Sequence, residues 1–83
     1  IIENKFYFFN PFSVQIFGKV VDNILFSVEQ QRRDVDIILY YPTVAYIQYL
    51  EKNTPFELLK EVKVPGLHKI NINERFLIYR FIG

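Results

Sequence analysis

Two short apolar runs, each closed by a proline, constrain the fold of this 83-residue chain more than any other feature. The first run covers residues 5–9 and meets Asn10-Pro11, and the second covers residues 35–41 and meets Pro42. Proline has no backbone N–H for the ladder of a sheet, so each run predicts a strand that ends there. Both runs show little alternation, which is typical of strands covered on both faces by helices.

An amphipathic helix is predicted between the two runs. Ser13 can cap its first turn, and apolar residues then recur at steps of three and four, at Phe17, Val20, Val21, Ile24, Leu25 and Val28. A strand, a helix of this length and a second strand form a βαβ unit with parallel strands and a right-handed crossover. We expect the 35–41 strand to be central, and Thr43 to cap a shorter helix over residues 44–52.

The last third of the chain predicts two further strands. Residues 56–64 alternate, with Phe56, Leu58, Val62 and Val64 on one face, and Leu59-Lys60 breaks the alternation as a β-bulge does. Residues 76–82 form the last strand, and two consecutive strands without an intervening helix pair most simply as an antiparallel hairpin. The predicted fold class is α/β: one domain over residues 1–83, with two helices and a four-stranded mixed sheet whose last strand is antiparallel to the rest.

Composition excludes several classes of function. The net charge is +1 and the basic residues are scattered, which disfavours a nucleic-acid partner that would stack on the tyrosines. There is no cysteine, which suits a cytoplasmic location, and no cluster of metal ligands. No apolar run approaches the roughly 20 residues that a membrane helix needs. We therefore expect no metal and no membrane partner.

The first strand predicts a missing partner. If residues 6–9 formed an unpaired edge strand, the backbone groups of this apolar run would pair with strands of other chains and favour aggregation. Earlier strands of the same polypeptide, or a second copy of this chain, should pair with it. The chain also lacks methionine and begins with Ile1, which predicts that it is an internal piece of a longer protein; the alternative is a chain whose disordered start was trimmed or left out.

The candidate site lies where the two parallel strands end. Both strands should reach the same edge of the sheet, so Asn10-Pro11 and Tyr41-Pro42 face one crevice, where ligands of α/β sheets bind. Asn10 is the first candidate, and the alternative is that Asn-Pro only turns the chain and caps the helix. Whichever of Tyr40 and Tyr41 faces the crevice is a candidate to line a substrate site, although a tyrosine at a strand end usually buries its ring.

The order of elements resembles the carboxyl-terminal half of a class I S-adenosylmethionine-dependent methyltransferase, and the resemblance covers almost the whole chain. The segment Tyr7-Phe8-Phe9-Asn10-Pro11-Phe12 is similar to the end of the family's fourth strand and its signature beside the methyl group. Residues 35–41, 56–64 and 76–82 would then be the fifth, sixth and seventh strands, the last antiparallel and inserted beside its predecessors. The residue sequences of these segments are most similar to those of uncharacterised bacterial members of the family.

The resemblance implies a Rossmann-like half-domain that transfers a methyl group when intact. Asn10 would hydrogen-bond the nucleophile, the carbonyls of Asn10 and Pro11 would orient its lone pair, and Phe12 would offer an apolar face. The signature here has one proline where amine-modifying members usually have two. The family's glycine-rich cofactor loop is also absent, since the only glycines are Gly18, Gly66 and Gly83.

The sequence therefore supports two hypotheses about function. In the first, the half that binds S-adenosylmethionine precedes Ile1, so this piece holds no cofactor site, is inactive alone, and acts on an unknown substrate. In the second, the chain is a non-enzymatic small α/β domain that homodimerises through its first-strand edge.

Overall fold

The computed structural model describes residues 4–9 and 12–83. Its elements follow in the order β1 (Lys5–Phe8), α1 (Val14–Gln30), β2 (Val35–Tyr40), α2 (Val44–Asn53), β3 (Glu57–Lys63), α3 (Leu67–Ile70) and β4 (Arg75–Phe81). The predicted strands and the two long helices are present, with ends that shift by a residue or two. The four-residue helix α3 was not predicted, because it lies in a connection with no apolar repeat.

The four strands form one mixed sheet with the order β1-β2-β4-β3. Strand β1 is parallel to β2, and β4 lies between β2 and β3, antiparallel to both. The α/β class, the central position of β2 and the antiparallel last strand are thus confirmed. Strand β1 stands at one edge of the sheet formed by the described residues.

Both long helices begin at the predicted caps. The Ser13 hydroxyl accepts from the Ile16 amide at the start of α1, and the Thr43 hydroxyl accepts from the Tyr46 amide at the start of α2. Their apolar sides meet one face of the sheet in a core of buried residues: Phe8, Phe17, Val21, Ile24, Val28, Val35, Ile37, Leu39, Tyr46, Leu50, Phe56, Leu77 and Tyr79. We call this side of the sheet the helix face.

The expectation that helices cover β1 on both faces is wrong for the described part of the chain. Tyr7 and Phe9 point away from the helix face and are 71% and 62% exposed. The physical reason is the direction of the crossovers: β1 to β2 and β2 to β3 both move the same way across the sheet. Right-handed connections in one direction place both helices on the same face.

The predicted bulge is present in β3, and it overturns the predicted single apolar face. Leu58 lies opposite Tyr79, whereas Val62 lies opposite Phe76, with a shift of register between Leu58 and Lys60. Tyr79 and Phe76 are an odd number of residues apart and point to opposite faces, so Leu58 and Val62 do as well. The extra residue of a bulge reverses the alternation beyond it.

Candidate functional site

The carboxyl ends of β1 and β2 lie side by side, as the parallel pairing requires. Phe8 is level with Leu39 at the last paired position, and the rings of Phe9 and Tyr40 just beyond it are 5.0 Å apart. Asn10 and Pro11 lie outside the described residues, so their predicted role stays a prediction. The remaining candidates, Phe12, Tyr40 and Tyr41, are at this edge.

Phe12 is fixed to the second helix by Tyr46. The Tyr46 hydroxyl donates to the Phe12 carbonyl oxygen at 2.7 Å and accepts from the Phe12 amide at 3.2 Å. The Tyr46 ring is buried and stacks on Phe17, with 3.9 Å between ring centroids. The residue that follows Asn10-Pro11 is therefore held at both of its backbone polar groups.

The Phe12 side chain remains partly accessible in this anchored position. It is 38% exposed, and its ring meets the ring of Phe8 edge to face at 6.3 Å. An aromatic ring held this way offers an apolar surface to a ligand in the crevice.

Tyr40 lies in a row of three rings that crosses the sheet. Its ring centroid is 5.0 Å from that of Phe9 on one side and 4.8 Å from that of Phe76 on the other. Its hydroxyl donates to the Glu74 carboxylate, with both oxygens at 2.9 Å. This hydrogen bond, with some burial, raises the pKa of Tyr40, so the hydroxyl stays protonated at neutral pH.

Tyr41 turns the chain out of the sheet. It is the one non-glycine residue with a positive φ in the described part of the chain, at 54°, a left-handed conformation that costs energy outside glycine. Its amide donates to the Arg75 carbonyl at 3.0 Å, and its hydroxyl accepts from Asn71 Nδ2 at 2.6 Å. Both crevice tyrosines are thus bonded to the connection between β3 and β4.

Sequence reasoning missed Tyr46, Asn71 and Glu74 as members of this edge. A cap at Thr43 places Tyr46 in the first turn of α2, beside the strand ends, so a signal existed for that residue. Asn71 and Glu74 lie at this edge only because β4 is inserted next to β2. No local pattern in the chain predicts that neighbourhood.

The polar side-chain groups that the described residues bring together at this edge are the Tyr40, Tyr41 and Tyr46 hydroxyls, the Asn71 amide and the Glu74 carboxylate. The described residues contain no group of three or more histidine, cysteine or acidic side chains placed to hold a metal ion. Within the same part of the chain, no helix is long and apolar enough to cross a membrane. The edge can bind a ligand through aromatic surface and a few hydrogen bonds.

A cavity of about 510 Å³ lies away from this edge, near the carboxyl end of α1. Its walls include Leu25, Val28, Pro55 and Phe81, with Glu29 and Arg32 among the lining residues. It contains none of the predicted site residues, so it is separate from the candidate site at the strand ends.

These features define an α/β protein whose candidate residues Phe12, Tyr40 and Tyr41 lie at the carboxyl ends of two parallel strands. Comparisons of the chain with protein-family models, with curated proteins and with solved structures found no match.

Proposed function

We propose that this chain is the carboxyl-terminal portion of a cytoplasmic S-adenosylmethionine-dependent methyltransferase, which transfers a methyl group to a nucleophile when joined to an amino-terminal, cofactor-binding portion. The observation that carries the proposal is the strand order β1-β2-β4-β3, with the last strand antiparallel and inserted between its predecessors. The resemblance in sequence implies a last strand that is antiparallel and inserted beside its predecessors, and this order is consistent with that expectation. A simple meander would have placed β3 beside β2 instead.

The anchoring of Phe12 supports the proposed chemistry. Methyl transfer from a sulfonium is a displacement in which the protein mainly positions the nucleophile, and positioning needs a fixed loop. Two hydrogen bonds to Tyr46 hold the loop at the residue after Asn10-Pro11. In this proposal the Asn10 amide bonds the nucleophile, the Pro11 carbonyl helps orient it, and Phe12 lines its apolar side.

Tyr40 and Tyr41 would form the far wall of the substrate site. Both hydroxyls already have partners, Glu74 and Asn71, so a substrate would meet them as hydrogen-bonded pairs rather than as free groups. The isolated chain has no glycine-rich loop to hold the cofactor, and we propose that it is inactive alone.

The test is cofactor binding by the complete reading frame that encodes this chain. The full-length product should bind S-adenosylmethionine in isothermal titration calorimetry, whereas the 83-residue chain should not. If the frame encodes no upstream strand with a glycine-rich turn, or its product does not bind the cofactor, the proposal is wrong.

The role of Asn10 has its own test in that full-length product. Asn10→Ala should lower turnover by about 100-fold or more while cofactor affinity changes by less than about threefold, because the amide acts on the nucleophile. The matched control is Asn23→Ala, a change of the same type on the exposed side of α1. Loss of cofactor affinity with turnover preserved at saturation would contradict the assigned role.

The edge position of β1 favours a second candidate function. A non-enzymatic α/β domain would use the open backbone edge of β1 to pair with a second copy. The two functions differ in what completes the sheet: upstream strands of the same polypeptide, or an identical strand. A structure of the full-length product distinguishes them directly.

A further inference from the structure

The cavity near the carboxyl end of α1 lies at the other end of the sheet from the candidate site. Its walls come from the last turns of α1, from Pro55 in the link between α2 and β3, and from the end of β4. Phe81 in the wall pairs with Val35 at the first position of β2, whereas the candidate site lies at and beyond the last position. The volume of about 510 Å³ falls within the roughly 300–1,000 Å³ of small-molecule sites.

Much of the cavity wall is apolar and belongs to the core. Val28 is only 5% exposed, and Leu25 packs against the buried residues. The Phe81 ring lies against the ring of the buried Phe56, with 5.9 Å between the ring centroids. Side chains that are packed in this way form the wall before a ligand arrives. The cavity can therefore accept an apolar group without a large rearrangement.

Backbone contacts fix the part of the wall that Gly83 contributes. The Gly83 amide donates to Asp34 Oδ1 at 3.2 Å. A side chain at Gly83 would overlap the Arg33 carbonyl oxygen, because the two backbones are in direct contact. The end of the last strand is thus held against the turn that follows α1.

Two charged side chains at the cavity have no partner. Glu29 and Arg32 both line it, and neither forms a hydrogen bond or an ion pair within the described part of the chain. Residues three apart meet on a helix, but α1 ends at Gln30 and the Gln31 backbone is extended. Arg33, rather than Arg32, bonds the carbonyl oxygen of Gln31 at this helix end, at 2.9 Å from Nη1. One carboxylate and one guanidinium are therefore both available to a ligand.

We propose that this cavity binds a small zwitterion with an apolar body, of the class of an apolar α-amino acid. The Arg32 guanidinium donates to the ligand carboxylate, and the Glu29 carboxylate accepts from the ligand ammonium group. The negative end of the α1 dipole also favours a cation beside Glu29. The ligand side chain packs on Val28 and Phe81.

The two unpaired charges select a zwitterion over a ligand of a single charge. A simple amine would meet Glu29 favourably but would face the Arg32 cation, and a simple carboxylic acid would face the Glu29 anion. A like charge at close range lowers affinity. A phosphate or a nucleotide would bring two or more negative charges to Glu29. Only a ligand that carries one charge of each sign satisfies both side chains.

The expected affinity is modest, because a ligand with few non-hydrogen atoms gains little binding free energy in total. We expect a dissociation constant on the order of 1 mM. The inference rests on the cavity alone and does not depend on methyl transfer, so it can fail or succeed independently of the proposed function.

Titration of the 83-residue chain with L-phenylalanine tests the proposal, followed in amide NMR spectra up to about 20 mM ligand. The amide signals of Val28, Arg32 and Gly83 should shift and saturate. Two analogues share the phenyl ring but carry one charge each: phenethylamine lacks the carboxylate, and phenylpropionate lacks the ammonium group. Each should bind about three- to tenfold more weakly than L-phenylalanine.

Matched variants assign each charge to its side chain. Arg32→Gln should weaken L-phenylalanine about three- to tenfold and remove its advantage over phenethylamine, since no guanidinium is left for the carboxylate. Glu29→Gln should in the same way remove the advantage over phenylpropionate. Lys19→Gln makes the same charge change as Arg32→Gln at an exposed residue near the other end of α1, and it should leave the affinity unchanged. The dispersion of the amide spectrum confirms that each variant is folded.

Three results would overturn the proposal. The first is the absence of saturable shifts up to the highest ligand concentration. The second is saturable shifts at Phe12 and Tyr40 with none at the cavity, which would place the ligand at the strand ends. The third is equal affinity for L-phenylalanine and both analogues, unchanged in Arg32→Gln and Glu29→Gln, which would show apolar binding without recognition of charge.

Discussion

The substitution Tyr46→Phe tests how much Tyr46 stabilises the loop at Phe12, the residue that follows Asn10-Pro11. The substitution keeps the ring stacked on Phe17 and removes only the hydroxyl that bonds both backbone polar groups of Phe12. Each hydrogen bond contributes about 0.5–1.5 kcal/mol net, so we expect the loss of two to lower the free energy of unfolding by about 1–3 kcal/mol. The lower part of this range applies if water reaches the freed Phe12 groups.

Urea unfolding followed by far-UV circular dichroism measures this loss. The slope of the free energy with urea should not change, because the surface exposed on unfolding is the same. Tyr49→Phe is the matched control: its hydroxyl donates to Asp22 at 3.1 Å in an exposed contact, and its 3.4 Å contact with the Gly18 carbonyl is long and partly buried. We expect that control to lose less than about 0.5 kcal/mol.

A local measurement accompanies the global one. Hydrogen exchange of the Phe12 amide should accelerate in Tyr46→Phe, since the substitution removes the one acceptor that this amide has among the described residues. If Tyr46→Phe destabilises the chain no more than Tyr49→Phe does, and the Phe12 amide exchanges at the wild-type rate, the anchoring argument is refuted.

Two further predictions concern charge and backbone conformation. Hydrogen bonds from Arg80 and Lys5 hold the pKa of Asp36 below its usual range. The contribution of the Asp36 carboxylate to stability is therefore complete above the unfolded-state pKa of about 3.9, and it is lost as pH falls through the lower folded-state pKa. Asp36→Asn should lower the free energy of unfolding by about 1–3 kcal/mol at pH 7 and should weaken its decrease at acidic pH. Urea unfolding at several pH values measures both effects. If stability falls with acid as steeply as in the wild type, Asp36 is not the group responsible. Gly66 has φ of 81° and ψ of −54°, outside the left-handed helical region that asparagine tolerates, and open space surrounds it, so Gly66→Ala should cost about 1–3 kcal/mol through backbone strain alone. A loss below about 0.5 kcal/mol in thermal unfolding would argue against strain at this glycine.

The predictions that succeeded rest on information within a few residues. The caps at Ser13 and Thr43, the apolar repeat of α1 and the proline stops after the two parallel strands each act on their own segment. The bulge near Leu59 was also visible as a break in local alternation. Right-handed crossover then relates β1 to β2 without further information.

The predictions that failed, and the contacts that were missed, need knowledge of distant segments. The covering of β1 depends on where both helices go, and the faces of Leu58 and Val62 depend on the register across the bulge. At the candidate site, Tyr46 meets Phe12 across 34 residues and Tyr40 meets Glu74 across 34 residues. No spacing pattern in the sequence predicts either contact.

The sequence by itself determined the type and order of the four strands and the two long helices, their caps, the edge at which the two parallel strands end and the candidate residues there. Tertiary structure alone decided that Tyr46 anchors Phe12, that Glu74 bonds Tyr40, and that both long helices lie on one face of the sheet. The reason is physical. Helix and strand periodicity follow from local backbone geometry, whereas the insertion of β4 between β2 and β3 is chosen by burial and pairing energies summed over the whole chain.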